Sequence, residues 1–282
     1  MHGKAAGTSN PMRIIAQEVG LPIFEPEDIN SVAGREAIER LSPELMVVCD
    51  YGQILAPETL ALARLGGINL HASLLPKYRG AAPINWAIYR GEAETGITVI
   101  HMTPRVDAGP ALAQAATPID PDETAVELEI RLAELGAPIV LQTIEDLAAG
   151  CQQALPQDPA LATKARRLKK TDGLIDWRMP ARQIKNQVRG MEPWPKTYTF
   201  WQRTAGAPMR LILGKVDALA DSEAIAPGVV IQGGGGSLVI AAGEGAIRIL
   251  QIQPAGKRML SAEEFLLGYS VKPGDRFGPE DV

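Results

Sequence analysis

Two side chains that can take part in carbonyl chemistry, Asn69 and His71, lie two positions apart. They stand at the carboxyl end of a predicted strand that starts at about Gly67, and side chains two apart on a strand point to the same face. An amide can donate a hydrogen bond to a developing oxyanion, and an imidazole can transfer a proton near neutral pH. The pair therefore fits attack by a nucleophile on a carbonyl carbon. The same spacing equally fits an asparagine that closes a turn and a histidine buried in the core.

An aspartate in a later loop could complete such a site. Asp107 stands in the sequence Val-Asp-Ala-Gly-Pro, residues 106–110, after a predicted strand at about 96–102. A carboxylate in that loop could reach His71 and fix the orientation of its ring. Asp-Ala-Gly is also a common turn sequence, so a purely structural role for Asp107 remains open at this point.

The elements around these residues alternate between strand and helix. Residues 45–49 are a continuous apolar run, which is typical of a strand buried on both faces, and helical patterns follow at about 57–65 and 83–90. A capping-box spacing at Thr124 precedes a long helical stretch that is predicted to break near 136–138. Strands separated by helices predict an α/β domain with a Rossmann-like parallel sheet. Ligands bind at the carboxyl ends of strands in such sheets, which is where the first pair lies.

The pattern changes after residue 150. Residues 151–161 are polar and contain prolines, as a linker would. Five short β-type runs follow, at about 197–201, 209–216, 228–231, 237–241 and 246–252. Short strands joined by glycine-rich turns predict a small β-barrel that is similar to the oligonucleotide-binding (OB) type. We therefore predict a first domain over 1–160, a basic linker over 161–175 and a barrel over 176–282.

The composition excludes several classes of protein. The 282 residues include 28 Lys and Arg against 33 Asp and Glu, a net charge of −5, which disfavours a protein that coats nucleic acid with its whole surface. No apolar run reaches the roughly 18 residues of a membrane span, and no apolar segment of a secretory signal follows Met1. Two cysteines and three histidines leave little material for a disulfide framework or a metal centre. We therefore expect a cytoplasmic protein without a metal or a membrane partner.

A basic run precedes the predicted barrel. Its five cations are Lys164, Arg166, Arg167, Lys169 and Lys170. A local patch of this kind can neutralise nucleic-acid phosphates even in an acidic protein. A run of charges is also typical of a solvated linker, and the composition alone does not decide between the two.

The longest motif in the chain carries a family resemblance. Residues 69–83, Asn-Leu-His-Ala-Ser-Leu-Leu-Pro-Lys-Tyr-Arg-Gly-Ala-Ala-Pro, resemble the signature of the formyltetrahydrofolate-dependent formyltransferases. The Arg-Gly-Ala-Ala-Pro form is most similar to the members that formylate methionyl-tRNA. Asp107-Ala-Gly is similar to the aspartate loop of this family, and matches to its carboxyl domain follow in order at 175–177, 193–195 and 250–257. The resemblance covers nearly the whole chain.

The resemblance implies an activity and a set of residues. The activity is transfer of a formyl group from the co-substrate 10-formyltetrahydrofolate to the amino group of initiator methionyl-tRNA, for translation initiation. Asn69 would polarise the formyl oxygen, His71 would move the proton and Asp107 would hold His71, with no metal. The residues that would shape the pocket for folate and the methionyl end are Ser73, Leu74, Leu75, Pro76, Arg79, Gly80, Ala81, Ala82 and Pro83. The residues that would bind tRNA are Lys164, Arg166, Arg167, Lys169, Lys170 and, in the barrel, Lys257.

The chain departs from the family pattern at its start. Family members begin with a strand–helix–strand unit, whereas the resemblance here begins in the following loop, at about Gly3. We therefore expect the first unit to be missing from the catalytic domain, and this chain alone to fold poorly or to be inactive. One alternative is thus a non-catalytic RNA-binding protein. Another keeps the same three residues and changes the acceptor to an amino sugar, a ribonucleotide amine or water, but the basic run and residues 253–257 favour tRNA. We expect a monomer.

Overall fold

The structure is a computed structural model that describes residues 10–203, 206–220 and 225–280. The chain divides into two compact units. One comprises the residues up to Met46 together with Asp50–Gly67, and the other comprises Val47–Cys49 together with Ile68–Val282. No helix in the described ranges has both the length and the apolar character needed to cross a membrane.

The first unit contains three helices that begin at start signals in the sequence. They are α1 (Pro11–Glu18), α2 (Val32–Leu41) and α3 (Pro57–Leu60). The Asn10 side chain caps α1 by accepting a hydrogen bond from the Met12 N–H at 2.9 Å, and the Ser31 hydroxyl accepts from the Gly34 N–H at 3.1 Å at the start of α2. Because the first backbone N–H groups of a helix lack partners within it, these caps fix where α1 and α2 begin, whereas α3 begins at a proline without a side-chain cap.

The second unit begins with a four-stranded sheet in the order β1-β2-β3-β4. Its strands are β1 (Met46–Val48), β2 (Gly67–His71), β3 (Glu94–His101) and β4 (Ala111–Pro118). Helix α4 (Pro83–Arg90) connects β2 to β3, and helix α5 (Ala125–Ala149) follows β4 and packs on β3 and β4. The core between them is apolar and includes Ile88, Ile97, Leu128 and Leu132. The α/β class is confirmed.

Two strand pairs of this sheet differ from the expected parallel arrangement. β2 runs antiparallel to β3, with Asn69 opposite Ile100 and His71 opposite Thr98, and β3 runs antiparallel to β4. Only residues 102–110 join β3 to β4, which is shorter than the crossover of a dozen or more residues that parallel neighbours need. β1 is also less buried than predicted, with Val47 50% exposed, because it lies at the edge of the sheet.

Helix α5 is continuous through Pro138, where the sequence predicts a break. Its start is as expected, because Thr124 and Glu127 form the predicted capping box. Buried residues on both sides of the proline, Leu132 and Thr143, anchor the two halves of the helix. The packing of these buried residues thus outweighs the loss of the backbone hydrogen bond that the proline removes.

The rest of the second unit is an antiparallel sheet in the order β11-β5-β6-β9-β8-β7, with β10 paired to β9. Its strands are β5 (Thr197–Gln202), β6 (Met209–Leu219), β7 (Val230–Gly234), β8 (Ser237–Ala241), β9 (Ala246–Pro254), β10 (Leu260–Ser261) and β11 (Arg276–Gly278). Backbone hydrogen bonds join the two ends of the sheet, from the Val230 N–H to the Asp275 carbonyl at 2.8 Å and from the Phe277 N–H to the Gly228 carbonyl at 2.7 Å. The predicted barrel is confirmed, and it is consistent with the OB type.

Two further helices accompany the barrel, α6 (Ala181–Gly190) and α7 (Ala262–Gly268). α6 packs against α4, so it joins the barrel to the α/β sheet. Arg189 of α6 is 8% exposed and donates hydrogen bonds to the backbone carbonyls of Asp120 and Glu123 at 3.2 and 3.0 Å. Lys185 forms an ion pair with Asp122 at 2.5 Å, and its hydrogen bond and its charge lower the pKa of that carboxyl. The two parts of the second unit are therefore held together by packing and by specific polar contacts.

Candidate active site

The loop after β3 brings Asp107 to the end of β2. The Asn69 amide donates to Asp107 Oδ1 at 3.5 Å, and His71 Nδ1 lies 3.6 Å from Asp107 Oδ2. The His71 residue is 5% exposed and the Asp107 side chain 12%. One oxygen of the Asp107 carboxylate therefore contacts Asn69 and the other faces His71, the two side chains that the strand spacing places on one face. The three residues proposed for catalysis lie together.

The ring of His71 has an oxygen atom near each of its nitrogens. Its Nε2 lies 2.9 Å from the backbone carbonyl of Tyr78, an acceptor, so Nε2 carries a proton when this bond forms. Its Nδ1 faces the Asp107 carboxylate. With the proton on Nε2, Nδ1 is the nitrogen that can accept a second proton, and the carboxylate beside it would stabilise the positive charge that results.

The backbone of the aspartate loop is held in an unusual shape. Asp107 has a φ of +50°, in the left-handed region that non-glycine residues rarely adopt. Its Oδ2 also accepts a hydrogen bond from the Gly80 N–H at 2.8 Å. A Cβ at Gly109 would lie 1.7 Å from the His101 carbonyl oxygen, so this position must be glycine. The Asp-Ala-Gly sequence is thus required for more than a surface turn.

The first part of the motif forms a turn that is tied to β3. The Ser73 hydroxyl donates to the Lys77 carbonyl at 2.7 Å, and the Thr98 hydroxyl donates to the Ser73 carbonyl at 2.7 Å. The Leu75 N–H donates to the Thr98 hydroxyl at 3.1 Å. Ser73 and Leu75 are buried, whereas Leu74 and Pro76 are partly exposed. These bonds fix the turn beside the three central residues.

The second part of the motif runs beside the basic run. The Arg79 N–H donates to the Thr163 carbonyl at 2.9 Å, and the Ala165 N–H donates to the Arg79 carbonyl at 2.7 Å. Gly80 has a φ of +122°, and a Cβ there would lie 2.5 Å from the Ala165 carbonyl oxygen. Ala81 is exposed, and Ala82 is buried just before Pro83 starts α4. The motif therefore forms one wall of the site.

The basic run is fixed along the folded domain, and we call residues 164–170 the basic strap. Ala165 and Leu168 are buried, at 0% and 8% exposure, and all five cations are exposed. Arg166 differs from the other four because its guanidinium forms an ion pair with Asp172 at 2.6 Å and lies 4.7 Å from the Trp86 ring centroid. Arg166 lowers the pKa of the Asp172 carboxyl, so the pair is charged at neutral pH. The strap presents its cations from an anchored backbone.

Lys257, the cation predicted in the barrel, is exposed in the turn after β9. It lines a surface groove of about 500 Å³ whose other charged residues are Arg203, Arg210 and one acid, Glu280. The Arg210 guanidinium lies 4.1 Å from the centroid of the Tyr198 ring. Lys257 thus belongs to a cationic surface of the barrel with an aromatic side chain beside it.

Sequence reasoning missed one side chain at this site, Gln157. Its amide bonds to Arg79 on one side and to the backbone of Asp107 on the other. Gln157 lies in the polar segment 151–161, whose composition is that of a linker. No local pattern distinguishes it there, because its partners are far away in the sequence.

Tyr78, which precedes the residues 79–83 that are predicted to shape the pocket, is 4% exposed and carries a buried polar contact of its own. Its hydroxyl donates to Glu92 Oε1 at 2.6 Å. Burial raises the pKa of the Tyr78 phenol well above its ordinary value, and the bond to Glu92 raises it further. The protonated phenol is therefore the form that the folded state favours.

We expect Tyr78→Phe to lower the free energy of unfolding by about 1–3 kcal/mol at pH 7, because the Glu92 carboxylate loses its donor. Since the folded state raises the phenol pKa, this stabilisation is complete below the unfolded pKa of about 10 and falls as the pH rises above it. Urea unfolding of both proteins at pH 7 and pH 11 should show the difference narrowing at the higher pH. Tyr198→Phe is the control, since its hydroxyl makes no hydrogen bond within the described residues. A difference in the free energy of unfolding between wild type and Tyr78→Phe that is larger at pH 11 than at pH 7 contradicts this prediction.

Models of known protein families match both parts of the chain. A family model described as "Formyl transferase" matches residues 2–144, and one described as "Formyl transferase, C-terminal domain" matches residues 167–270. The chain belongs to the formyl transferase family. The first model spans the motif and the aspartate loop, and the second spans the end of the strap and most of the barrel.

Relatives in this formyl transferase family are similar over nearly the whole chain. A protein of Rhodopirellula baltica named methionyl-tRNA formyltransferase is 44% identical over 276 residues, which cover 94% of this chain and 81% of that protein. A protein of the same name from Desulfotalea psychrophila is 42% identical, covering 94% of this chain and 80% of that protein. This similarity extends through both the α/β sheet and the barrel.

Solved structures share the fold at lower identity. HypX from Aquifex aeolicus, in complex with tetrahydrofolic acid, has a TM-score of 0.61 at 18% identity, covering 82% of this chain and 40% of that one. An N-formyltransferase from Helicobacter canadensis, in complex with folinic acid and dTDP-3-aminofucose, has a TM-score of 0.63 at 16% identity, covering 88% and 86%. At these identities the likeness establishes the fold alone.

Proposed function

We propose that this chain transfers the formyl group of 10-formyltetrahydrofolate to the amino group of initiator methionyl-tRNA. In this reaction the bond from the formyl carbon to N10 of the folate breaks, and a bond to the methionyl nitrogen forms. One proton of the amine ends on the released folate nitrogen. The observation that carries the proposal is the contact of Asp107 with both Asn69 and His71, in a chain of the formyl transferase family.

The roles of the three residues follow from their contacts. The Asn69 amide makes one long hydrogen bond within the described residues, to Asp107, so its second N–H can donate to the formyl oxygen as negative charge develops there. His71 takes the proton from the attacking amine at Nδ1, the ring nitrogen that carries no proton while Nε2 donates to the Tyr78 carbonyl. The Asp107 carboxylate, 3.6 Å from Nδ1, stabilises the imidazolium that forms. The turn that contains Ser73 and the wall that contains Gly80 would hold the folate and the methionyl end.

Cationic surfaces favour tRNA as the acceptor. The strap exposes Lys164, Arg167 and Lys170 without an acidic partner among the described residues, and it also exposes Lys169, whose charge acts on the Asp172 carboxyl. Lys257 adds charge on the barrel. Relatives of more than 40% identity also carry the name methionyl-tRNA formyltransferase. An amino sugar or water would need no such surfaces.

The direct test is to incubate the chain with 10-formyltetrahydrofolate and each candidate acceptor. Formylated product would be measured with initiator methionyl-tRNA and with a dTDP-amino sugar, and folate release would be measured with no acceptor. We expect any formylation by the chain to be of the tRNA and of neither other acceptor. Comparable turnover of the sugar or of water would overturn the assignment, and tRNA binding without turnover would favour the RNA-binding alternative.

We expect replacing Lys164, Arg167, Lys169 and Lys170 by glutamine to weaken tRNA binding and to raise KM for tRNA while kcat changes little. Each lost phosphate contact should reduce the slope of log K against log salt by about 0.7–0.9. Filter binding over a range of salt concentrations measures this slope. The control is Arg13→Gln with Arg64→Gln, which removes cations already paired with Glu25 and Glu44. An unchanged slope in the strap variant would exclude the strap from the tRNA interface.

A further inference from the structure

Gln157 joins two segments of the proposed active site. Its Oε1 accepts hydrogen bonds from two nitrogens of the Arg79 guanidinium, at 3.1 and 2.7 Å. Its Nε2 donates to the backbone carbonyls of Asp107 at 2.9 Å and Gly109 at 2.7 Å. An amide group has two donor hydrogens and one oxygen with two lone pairs, so this side chain uses its full bonding capacity here.

These bonds act on the residue with the least favourable backbone at the site. Asp107 has a φ of +50°, which costs free energy and persists only where surrounding contacts fix it. Gln157 holds the carbonyl of this residue, and the Gly80 N–H holds its side chain at 2.8 Å. Since Arg79 and Gly80 are adjacent, the loop is joined to the same short segment twice. The carboxylate is thereby fixed from its backbone and from its side chain.

We propose that Gln157 is a positioning residue for formyl transfer, acting through the aspartate loop. This inference depends on the function proposed above for the same site. By holding the backbone at Asp107 and Gly109, Gln157 keeps the carboxylate within reach of both Asn69 and His71. Gln157 also joins the loop to Arg79. The distance between the aspartate loop and the wall that the motif forms is therefore fixed.

Two substitutions separate the donor function of Gln157 from its volume. Gln157→Met keeps a chain of similar length and removes all the hydrogen bonds. Gln157→Glu keeps an acceptor for Arg79 but places an oxygen against the two backbone carbonyls. If holding the loop is what matters, Gln157→Glu should be impaired at least as much as Gln157→Met. Gln152→Met is the matched control, because Gln152 lies in the same segment, is also half-buried, and donates to the carbonyls of Leu112 and Gln153 instead.

The expected kinetic result is a loss of about 10²-fold in kcat for Gln157→Met, since displacement of a positioned group by about 1 Å costs that much. KM for both substrates should stay close to wild type, and the pH dependence of kcat should change because the partner of His71 has moved. Amide hydrogen exchange supplies a readout without substrates. The Gly80 N–H should exchange about tenfold faster once the Asp107 carboxylate is displaced. Gln152→Met should leave all of these values as in wild type.

Wild-type kcat together with wild-type exchange at Gly80 in Gln157→Met would overturn the proposal. Full activity of Gln157→Glu would overturn it as well, because that variant lacks the donor to the loop. If the wild-type chain transfers no formyl group, the proposed function fails by itself. The exchange rate at Gly80 still decides whether Gln157 positions Asp107 in that case.

Discussion

His71→Ala is expected to lower kcat for formyl transfer by about 10²–10⁴-fold, the contribution usual for a positioned acid–base group. The ring is almost fully buried, and it is held between the Tyr78 carbonyl at 2.9 Å and the Asp107 carboxylate at 3.6 Å. Alanine offers no group that could accept the proton of the amine, and bulk water has little access to this position. Quenched-flow measurement of formyl-methionyl-tRNA under single-turnover conditions would isolate the chemical step.

His101→Ala is the matched control for this experiment. His101 lies on β3 opposite Ile68, and its ring makes no hydrogen bond or ion pair with Asn69 or Asp107. This variant should keep kcat near wild type. Binding of tRNA should be equal in both variants, which shows that the fold is retained. An active His71→Ala protein with normal tRNA binding would remove His71 from the proposed mechanism.

The second large effect is expected at Asn69, where alanine should lower kcat by about 10²–10³-fold, as the loss of one donor to a developing oxyanion does. Asn69→Asp should be at least as impaired, because it keeps the shape but places a second carboxylate 3.5 Å from Asp107 Oδ1, as judged from the present amide. The two variants together distinguish loss of a donor from loss of volume. KM for tRNA should change little, since this side chain acts on the formyl group.

Asn85→Ala is the control for Asn69→Ala, because it removes a half-buried amide at another place in the same unit. The Asn85 side chain donates to the Gly190 carbonyl at 2.8 Å, between α4 and α6. Its replacement should lower the free energy of unfolding by about 1 kcal/mol and leave the chemical step intact. Steady-state kinetics with thermal unfolding of the same preparations measures both quantities. A loss of kcat in Asn85→Ala equal to that in Asn69→Ala would show that the effect at Asn69 is not specific to the site.

The sequence allowed prediction of those features that depend on local spacing. Asn69 and His71 were paired because two positions on one strand share a face, and the barrel strands followed from short apolar runs between glycine turns. The place of Asp107 came only from the family resemblance, because no local pattern shows that a loop will reach a strand that ends 36 residues earlier. The direction of β3 was missed because helix α4 connects β2 to an antiparallel neighbour, whereas such helices usually connect parallel ones.

Contacts between distant segments account for the remaining differences. The strap was expected as a linker because its charges dominate its composition, whereas the buried Ala165 and Leu168 attach it to the domain. Gln157 was not predicted, since its importance depends on the positions of Arg79 and Asp107 in three dimensions. Isolated polar residues in such segments carry no periodic signal of their own.

The crowding at Gly80 determines when, during synthesis of the chain, the proposed site can form. Gly80 donates its N–H to Asp107, and its Cα faces the Ala165 carbonyl so closely that a Cβ would lie 2.5 Å away. The ribosome synthesises the segments that contain Gly80, Asp107 and Ala165 in that order, so the strap, which contains Ala165, is made last. A nascent chain that has emerged only as far as residue 150 already contains Asn69, His71 and Asp107, yet it lacks Gln157 and the strap that hold their surroundings. The geometry of the proposed site is therefore completed late in synthesis, just before the barrel is made.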